Sequence, residues 1–376
     1  MKGVAIAGVA ESDLGLVAPG LTPADVMAQA ARRALDDCGL GVDDVDGLFS
    51  ASTQMPMPTV ALGEYLGIRP RYSDSTQIGG SSFEAHVNHA RAAISAGLCD
   101  VALIAYGSTQ RSAGRERSRM RDVSPYEAPY RPWLPVTAYA LAAARHMHEF
   151  GTTREQLAEV AVAAREWARL NPVAWSRDPL TVADVLAAPM VSDPLGVRDC
   201  CLVTDGGAAA VVVSAERARS LRKPPVHVLG AAEAQTHRHI SAMPDLVRTA
   251  AAESGARAFA EAGLRPADVD VVELYDAFTI TPVLFLEDLG FCAKGEGGEF
   301  VSGGRIAPGG ELPVDTNGGG LSYCHPGMYG LLILVEAVRQ LRGECGERQV
   351  AGAEVALVHG NGGVLSSQAT VLLGRE

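Results

Sequence analysis

The 376-residue sequence repeats itself, and that repeat limits its fold more than any other feature. Ala34-Leu35-Asp36-Asp37-Cys38-Gly39-Leu40 runs into Asp44-Val45-Asp46-Gly47-Leu48. Far downstream, Ala258-Phe259-Ala260-Glu261-Ala262-Gly263-Leu264 runs into Asp268-Val269-Asp270-Val271-Val272. Gly39 aligns with Gly263, and each copy reads as an amphipathic helix stopped by glycine, a short turn and a buried strand. A second echo pairs the helix ending Arg91 to Gly97 with the helix Glu336 to Gly343, each leading into an apolar strand, Val101–Tyr106 and Val355–His359. Two echoes in the same order point to a duplicated unit. The chain is also longer than one ordinary core supports. The halves divide where Arg222-Lys223-Pro224-Pro225 punctuates the chain, giving residues 1–222 and 223–376. Strands alternate with helices in both, which predicts a layered α/β architecture.

Hydrophobic residues at 47% and charged residues at 20% are globular values. With 44 acidic against 32 basic residues, the net charge of −12 argues against a nucleic-acid or anionic-membrane partner. No apolar run reaches the ~18 residues of a membrane span, and no basic leader with an apolar core opens the chain. A cytoplasmic enzyme is expected. The seven cysteines lack C-x-x-C spacing, so neither a disulfide framework nor a metal site is indicated. A polar segment at 108–135 holds Arg111, Arg115, Arg117, Arg119, Arg121 and Arg131, and reads as an insertion over the site, at a subunit contact, or as a solvated loop.

The candidate chemistry lies between Tyr275 and Gly330. Tyr275-Asp276-Ala277-Phe278 follows a buried strand, and open α/β sheets bind ligands at such carboxyl ends. Asn317-Gly318-Gly319-Gly320-Leu321-Ser322-Tyr323-Cys324-His325-Pro326-Gly327 then leads into an apolar helix from about Met328 to Leu341. A glycine-flanked turn opening a helix aims N–H groups and the positive dipole end at whatever lies in front. A histidine there, His325, is placed to donate to a developing oxyanion. The last glycine turn, His359-Gly360-Asn361-Gly362-Gly363, lacks the phosphate-loop lysine, and no G-x-S-x-G elbow offers a serine nucleophile.

Together these blocks resemble the thiolase superfamily, in its sterol-carrier-protein-like branch, over essentially the whole chain. The Asp205-Gly206-Gly207-Ala208 strand entry is a further matching block. The resemblance implies a thiolase-like fold of two duplicated halves in a five-layered α-β-α-β-α arrangement. It also places the nucleophilic cysteine of thiolases at Gly80, within Gln77-Ile78-Gly79-Gly80-Ser81-Ser82, where this chain has none. Without a thiolate there is no acyl-enzyme. Ser81 and Ser82 read as helix-start residues, Cys99, Cys200 and Cys201 as core, and Cys324 as the one rival nucleophile. His359 aligns with the second, acid/base cysteine of the family, Tyr275 replaces its Asn or His, and His325 is kept.

The pattern is similar to the lipid-transfer-protein-type aldolases of steroid side-chain degradation. It implies retro-aldol cleavage of a β-hydroxyacyl-CoA to a ketone and a short acyl-CoA such as propionyl-CoA. Tyr275 and Tyr323 carry over as the acid/base pair, with His325 stabilising the enolate and Asp276 as an orienting carboxylate. Tyr329 reads as helix-face packing. No cofactor is implied beyond the CoA of the substrate. The resemblance further implies a homodimer that joins a small OB-fold acyl-CoA-binding protein in a heterotetramer. Two other readings stay open: a thiolase-type condensing enzyme or acyltransferase using Cys324, and a non-catalytic acyl-CoA- or lipid-binding subunit.

Overall fold

The structure, a computed structural model, describes residues 3–114 and 123–375. Both copies of the repeat fold alike, and local hydrogen bonds explain why. In the first half, β1 (Val4–Glu11) leads to α1 (Pro23–Cys38), β2 (Gly47–Ser50), α2 (Pro58–Leu66), β3 (Tyr72–Asp74), α3 (Ser82–Ser95) and β4 (Val101–Ser108). Thr22 caps α1 through Asp25 N, and Gly39, at φ +80°, closes it in a conformation that costs glycine nothing. Its counterpart α8 (Ala251–Ala262) ends the same way at Gly263, φ +69°.

The two aspartates of each Asp-Val-Asp have matching tasks. Asp44 accepts from Gly41 N at 2.9 Å, and Asp268 from Arg265 N at 2.8 Å, each closing the turn after its helix. Asp46 accepts from Asp100 N and Val101 N, both at 2.8 Å, and so pins the start of β4. Asp270 does the same for Glu354 N at 2.8 Å and Val355 N at 2.9 Å, at the start of β10 (Val355–Gly362).

The first half continues through α4 (Val136–Phe150), α5 (Arg154–Leu170), α6 (Val182–Leu186), a small hairpin of β5 (Met190–Ser192) and β6 (Leu195–Gly196), β7 (Gly206–Ser214) and α7 (Ala215–Ala218). The second half adds β8 (Val226–Gln235), α8, β9 (Val271–Leu274), α9 (Ile280–Asp288), α10 (Gly297–Phe300), α11 (Gly330–Arg342), β10 and β11 (Ser367–Gly374).

The strand order β3-β2-β4-β7-β1-β8-β11-β10-β9 is one motif written outward twice from its centre. β2–β4 and β9–β10 are parallel, whereas β4–β7, β7–β1, β10–β11 and β11–β8 are antiparallel. Among the described residues the half-sheets pair only where Ala5 and Ile6 meet His227 and Val226. α1 covers β1, β4 and β7 on one outer face, and α8 covers β8 and β11 on the other. α3 and α11 each touch strands of both half-sheets and form the middle layer, which completes five layers. Gly8 and Gly230 let the outer helices close on them: a Cβ would stand 2.2 Å from Ala34 O at the first and 2.3 Å from Ala258 O at the second.

The arginine-rich segment is only partly described, since Arg115, Arg117, Arg119 and Arg121 lie outside the described residues. Arg111 is exposed, donates to Val203 O at 3.0 Å and lies over the Trp175 ring. Among the described residues no helix is long and apolar enough to cross a membrane.

Candidate active site

The middle layer carries the site. α3 begins just after Gly79-Gly80-Ser81, and Ser82 accepts from Ile78 N at 3.0 Å and donates to Gly79 O at 2.7 Å, the helix-start role expected of it. The Tyr275 ring from the end of β9 covers this point. A Cβ on Gly80 would lie 2.0 Å from Tyr275 Cε2 and 2.6 Å from Asn361 O. The tyrosine therefore occupies the volume that a side chain at position 80 would need.

Tyr275 Oη is 3.0 Å from His325 Nε2 and 3.4 Å from Gly327 O. Both side chains are almost closed off, at 5% and 8% exposure. Burial pushes the phenol well above its ordinary range and pulls the imidazole down to about 4, so both groups are neutral near pH 7. The bend that presents His325 is held from two sides. Tyr106 Oη donates to Pro326 O and accepts from Met328 N at 3.1 Å, while Thr204 Oγ1 accepts from His325 N at 3.0 Å. Neither support was identified from the sequence, because both partners lie more than a hundred residues away.

Tyr323 is the main correction. Its hydroxyl donates to Glu11 Oε1 at 2.9 Å, and Glu11 is ion-paired with Arg339. The phenol that neighbours the pair is Tyr329. Its ring stands edge-on to Tyr275 at 5.8 Å between centroids and 6.1 Å from His325, and its hydroxyl donates to Asn317 Oδ1 at 2.6 Å. We therefore expect Tyr323→Phe to lower stability by about 1.5–3 kcal/mol, the usual worth of a hydrogen bond to a charged group, with kcat/KM within about twofold of the parent. A thermal melt and steady-state kinetics on the same sample check both.

His359 also leaves the site. Its nitrogens are taken by Thr370 Oγ1 at 2.8 Å and Gln368 Oε1 at 2.9 Å inside the β10–β11 hairpin, and burial lowers it to about 4. Asp276 orients, as expected, though not toward a ligand. It accepts from Gly320 N and Leu321 N, while Gly319 N donates to Asn317 Oδ1 and Gly318 N to Asp315 O, so these amides of the glycine turn are not free for an oxyanion. That turn is one π-helical turn, Gly319–Tyr323, and the helix α11 opens later, at Gly330. Cys324 is fully buried, accepts from Thr204 Oγ1 at 3.3 Å, and is pushed up to about 12 by burial. It is a poor nucleophile.

One group escaped the sequence reading altogether. Glu84, a turn into α3, is buried with neither carboxyl oxygen hydrogen-bonded. Its carboxyl is wedged beside Gly330 and Gly360, where a Cβ would come within 2.6 Å and 2.1 Å of it. Burial raises it from 4.5 to about 8. Its stabilising effect is thus fully present below about pH 4.5 and is lost as pH rises through about 8, because the unfolded chain ionises first. Glu84→Gln should flatten that loss: the variant gains on the parent in melting temperature from pH 5 to 8 and holds a constant lead above it. Parallel melts across pH measure this.

The family signature described as "Thiolase C-terminal domain-like" matches residues 232–375. The chain is 33% identical over 385 residues to an acetyl-CoA acetyltransferase of Methanothermobacter thermautotrophicus, covering 100% of each. It is 34% identical over 387 residues to the 17-hydroxy-3-oxo-4-pregnene-20-carboxyl-CoA lyase of Mycobacterium tuberculosis, covering 96% of this chain and 97% of that one. A solved Ltp2–ChsH2(DUF35) aldolase superposes with a TM-score of 0.87 at 32% identity, over 99% of this chain and 97% of that one. The fold, the buried middle helices and these full-length relatives agree: the chain belongs to the thiolase superfamily.

Proposed function

We propose that the protein is a carbon–carbon lyase that cleaves a β-hydroxyacyl-CoA by a retro-aldol reaction, with a steroid side chain as the acyl group. The observation that carries this reading is the Tyr275–His325 pair in the space that a residue-80 nucleophile would fill. A buried phenol is a weak base alone, but it need not ionise first. As the β-hydroxyl gives its proton to Tyr275 Oη, the phenol passes its own to neutral His325 Nε2. The α–β bond breaks, its electrons go to the thioester enolate, and the β-carbon leaves as a ketone. The pair then returns the proton to the α-carbon and releases a short acyl-CoA such as propionyl-CoA. CoA arrives and leaves as part of substrate and product, and no separate cofactor has a step.

One of the full-length relatives is named an acetyltransferase. Acyl transfer needs a thiolate, and burial drives Cys324 up to about 12 and Cys201 well above its ordinary range. Those thiols support the lyase reading over a condensing enzyme. Relatives named as a CoA lyase and a DUF35-containing aldolase support it too, along with a partner protein of that type. β3, the outermost strand of the first half-sheet, offers an unpaired edge to a second copy in a homodimer.

The test is to mix the purified chain, with a DUF35-type partner, with a steroid side-chain acyl-CoA bearing a tertiary β-hydroxyl. Mass spectrometry should find equal amounts of ring ketone and short acyl-CoA. Bound but uncleaved substrate across a series of acyl groups would instead point to a binding subunit.

A further inference from the structure

A cleft lies behind the Gly319–Tyr323 turn. Arg165 on α5 is only 5% exposed. Its Nε donates to Ser322 Oγ at 2.9 Å and its Nη1 to Asp178 O at 2.9 Å, both neutral acceptors. Arg198 faces the same cleft, and among the described residues neither guanidinium has a carboxylate in ion-pair contact. Asp178 lies close enough to act on Arg165, and Asp184 close enough to feel Arg198. Asp184 is already engaged in capping α6 through Thr181. A nearly buried cation without a counter-charge is costly, and a second cation across the cleft adds to that cost. The other walls, Ala161, Leu180, Val197, Leu202 and Leu321, are apolar.

The cleft is not part of the Tyr275–His325 site. Cys200 and Leu202 line it. Cys201 between them lies on the side of Tyr275 and Tyr139, its backbone N–H bonded to Ala277 O at 2.9 Å and its thiol kept neutral by burial. Side chains alternate along an extended segment, so the 200–202 stretch is the partition between the two spaces. A cleft of about 40 Å³ holds more than one water, each needing ~10–15 Å³, so it admits a small oxyanion and excludes a nucleotide.

We propose that the Arg165–Arg198 cleft binds a small oxyanion, a phosphate or carboxylate group, between the two guanidiniums and Ser322. Paired arginines suit such groups because each presents a planar fork of donors to their oxygens.

Calorimetric titration with inorganic phosphate, against sodium chloride at matched ionic strength, tests this, with acetate as a second arm. The expected result is a saturable phosphate or acetate isotherm that chloride does not give, and a matching rise in melting temperature. Whichever anion binds more tightly identifies the group. Arg198→Gln, on the surface, should weaken binding roughly tenfold, the worth of one charge-assisted hydrogen bond, and Arg165→Gln should abolish it. Arg165→Gln also risks the fold, so Arg198→Gln decides the matter. No saturable heat with either anion, or unchanged affinity in Arg198→Gln, overturns the proposal.

Discussion

Tyr275→Phe removes lyase turnover and leaves the protein folded. The phenylalanine ring still fills the space above Gly80, so packing survives, and only the oxygen 3.0 Å from His325 Nε2 is lost. General acid–base groups contribute roughly 10²–10⁴-fold, and kcat should fall by that factor. Stability changes by about the 1 kcal/mol of one hydrogen bond. KM for the acyl-CoA should barely move. The parent enzyme's pH profile follows from the same pair. His325 acts as a proton acceptor only while neutral, and its pKa is about 4, so turnover stays level down to about pH 5 and falls below it as the imidazole protonates. A variant that keeps more than a tenth of the parent kcat would take the phenol out of the chemistry.

Gly80→Cys comes next in expected size, and it does not create a thiolase. The new Cβ would need to sit 2.0 Å from Tyr275 Cε2 and 2.6 Å from the Asn361 carbonyl oxygen, and the second of these is backbone. The ring must leave its place, which breaks the Tyr275–His325 hydrogen bond. Overpacking of this kind costs about 1–3 kcal/mol. Lyase activity should fall at least as far as in Tyr275→Phe, without any acetoacetyl-CoA-forming activity appearing. Gly80→Ala should behave alike, which separates the steric effect from thiol chemistry. Half or more of the parent activity in Gly80→Ala would mean that the ring does not need this position.

What was legible in the sequence is what local chemistry decides. Gly39, Gly263 and the two Asp-Val-Asp stretches bond within their own turn or to the start of the strand that pairs with their own, so the duplication showed as repeated letters. Tyr275 and His325 were legible because a strand end and a His-Pro bend mark them.

Tyr323 carries over by motif position alone, and motif position says nothing of where its side chain points. It closes a π-helical turn, after which Cys324 is extended, and its partner Glu11 lies at the other end of the chain. His359 was misplaced for a related reason: its fate depends on Thr370 and Gln368 across the hairpin, a pairing that exists only in the folded sheet. Tyr106, Tyr329 and Glu84 carry no motif. Each matters only because the middle helices lie between two half-sheets that bring distant residues together.

The most direct test of the central claim is the fate of hydrogen and of CoA in a single cleavage reaction. In D₂O, with a β-hydroxyacyl-CoA and no free CoA, the Tyr275–His325 lyase should release the short acyl-CoA with one deuterium on its α-carbon, mole for mole with the ketone, and Tyr275→Phe should release neither. Cleavage that appears only when free CoA is added, or only from a β-ketoacyl substrate, would show thiolytic acyl transfer and contradict the account.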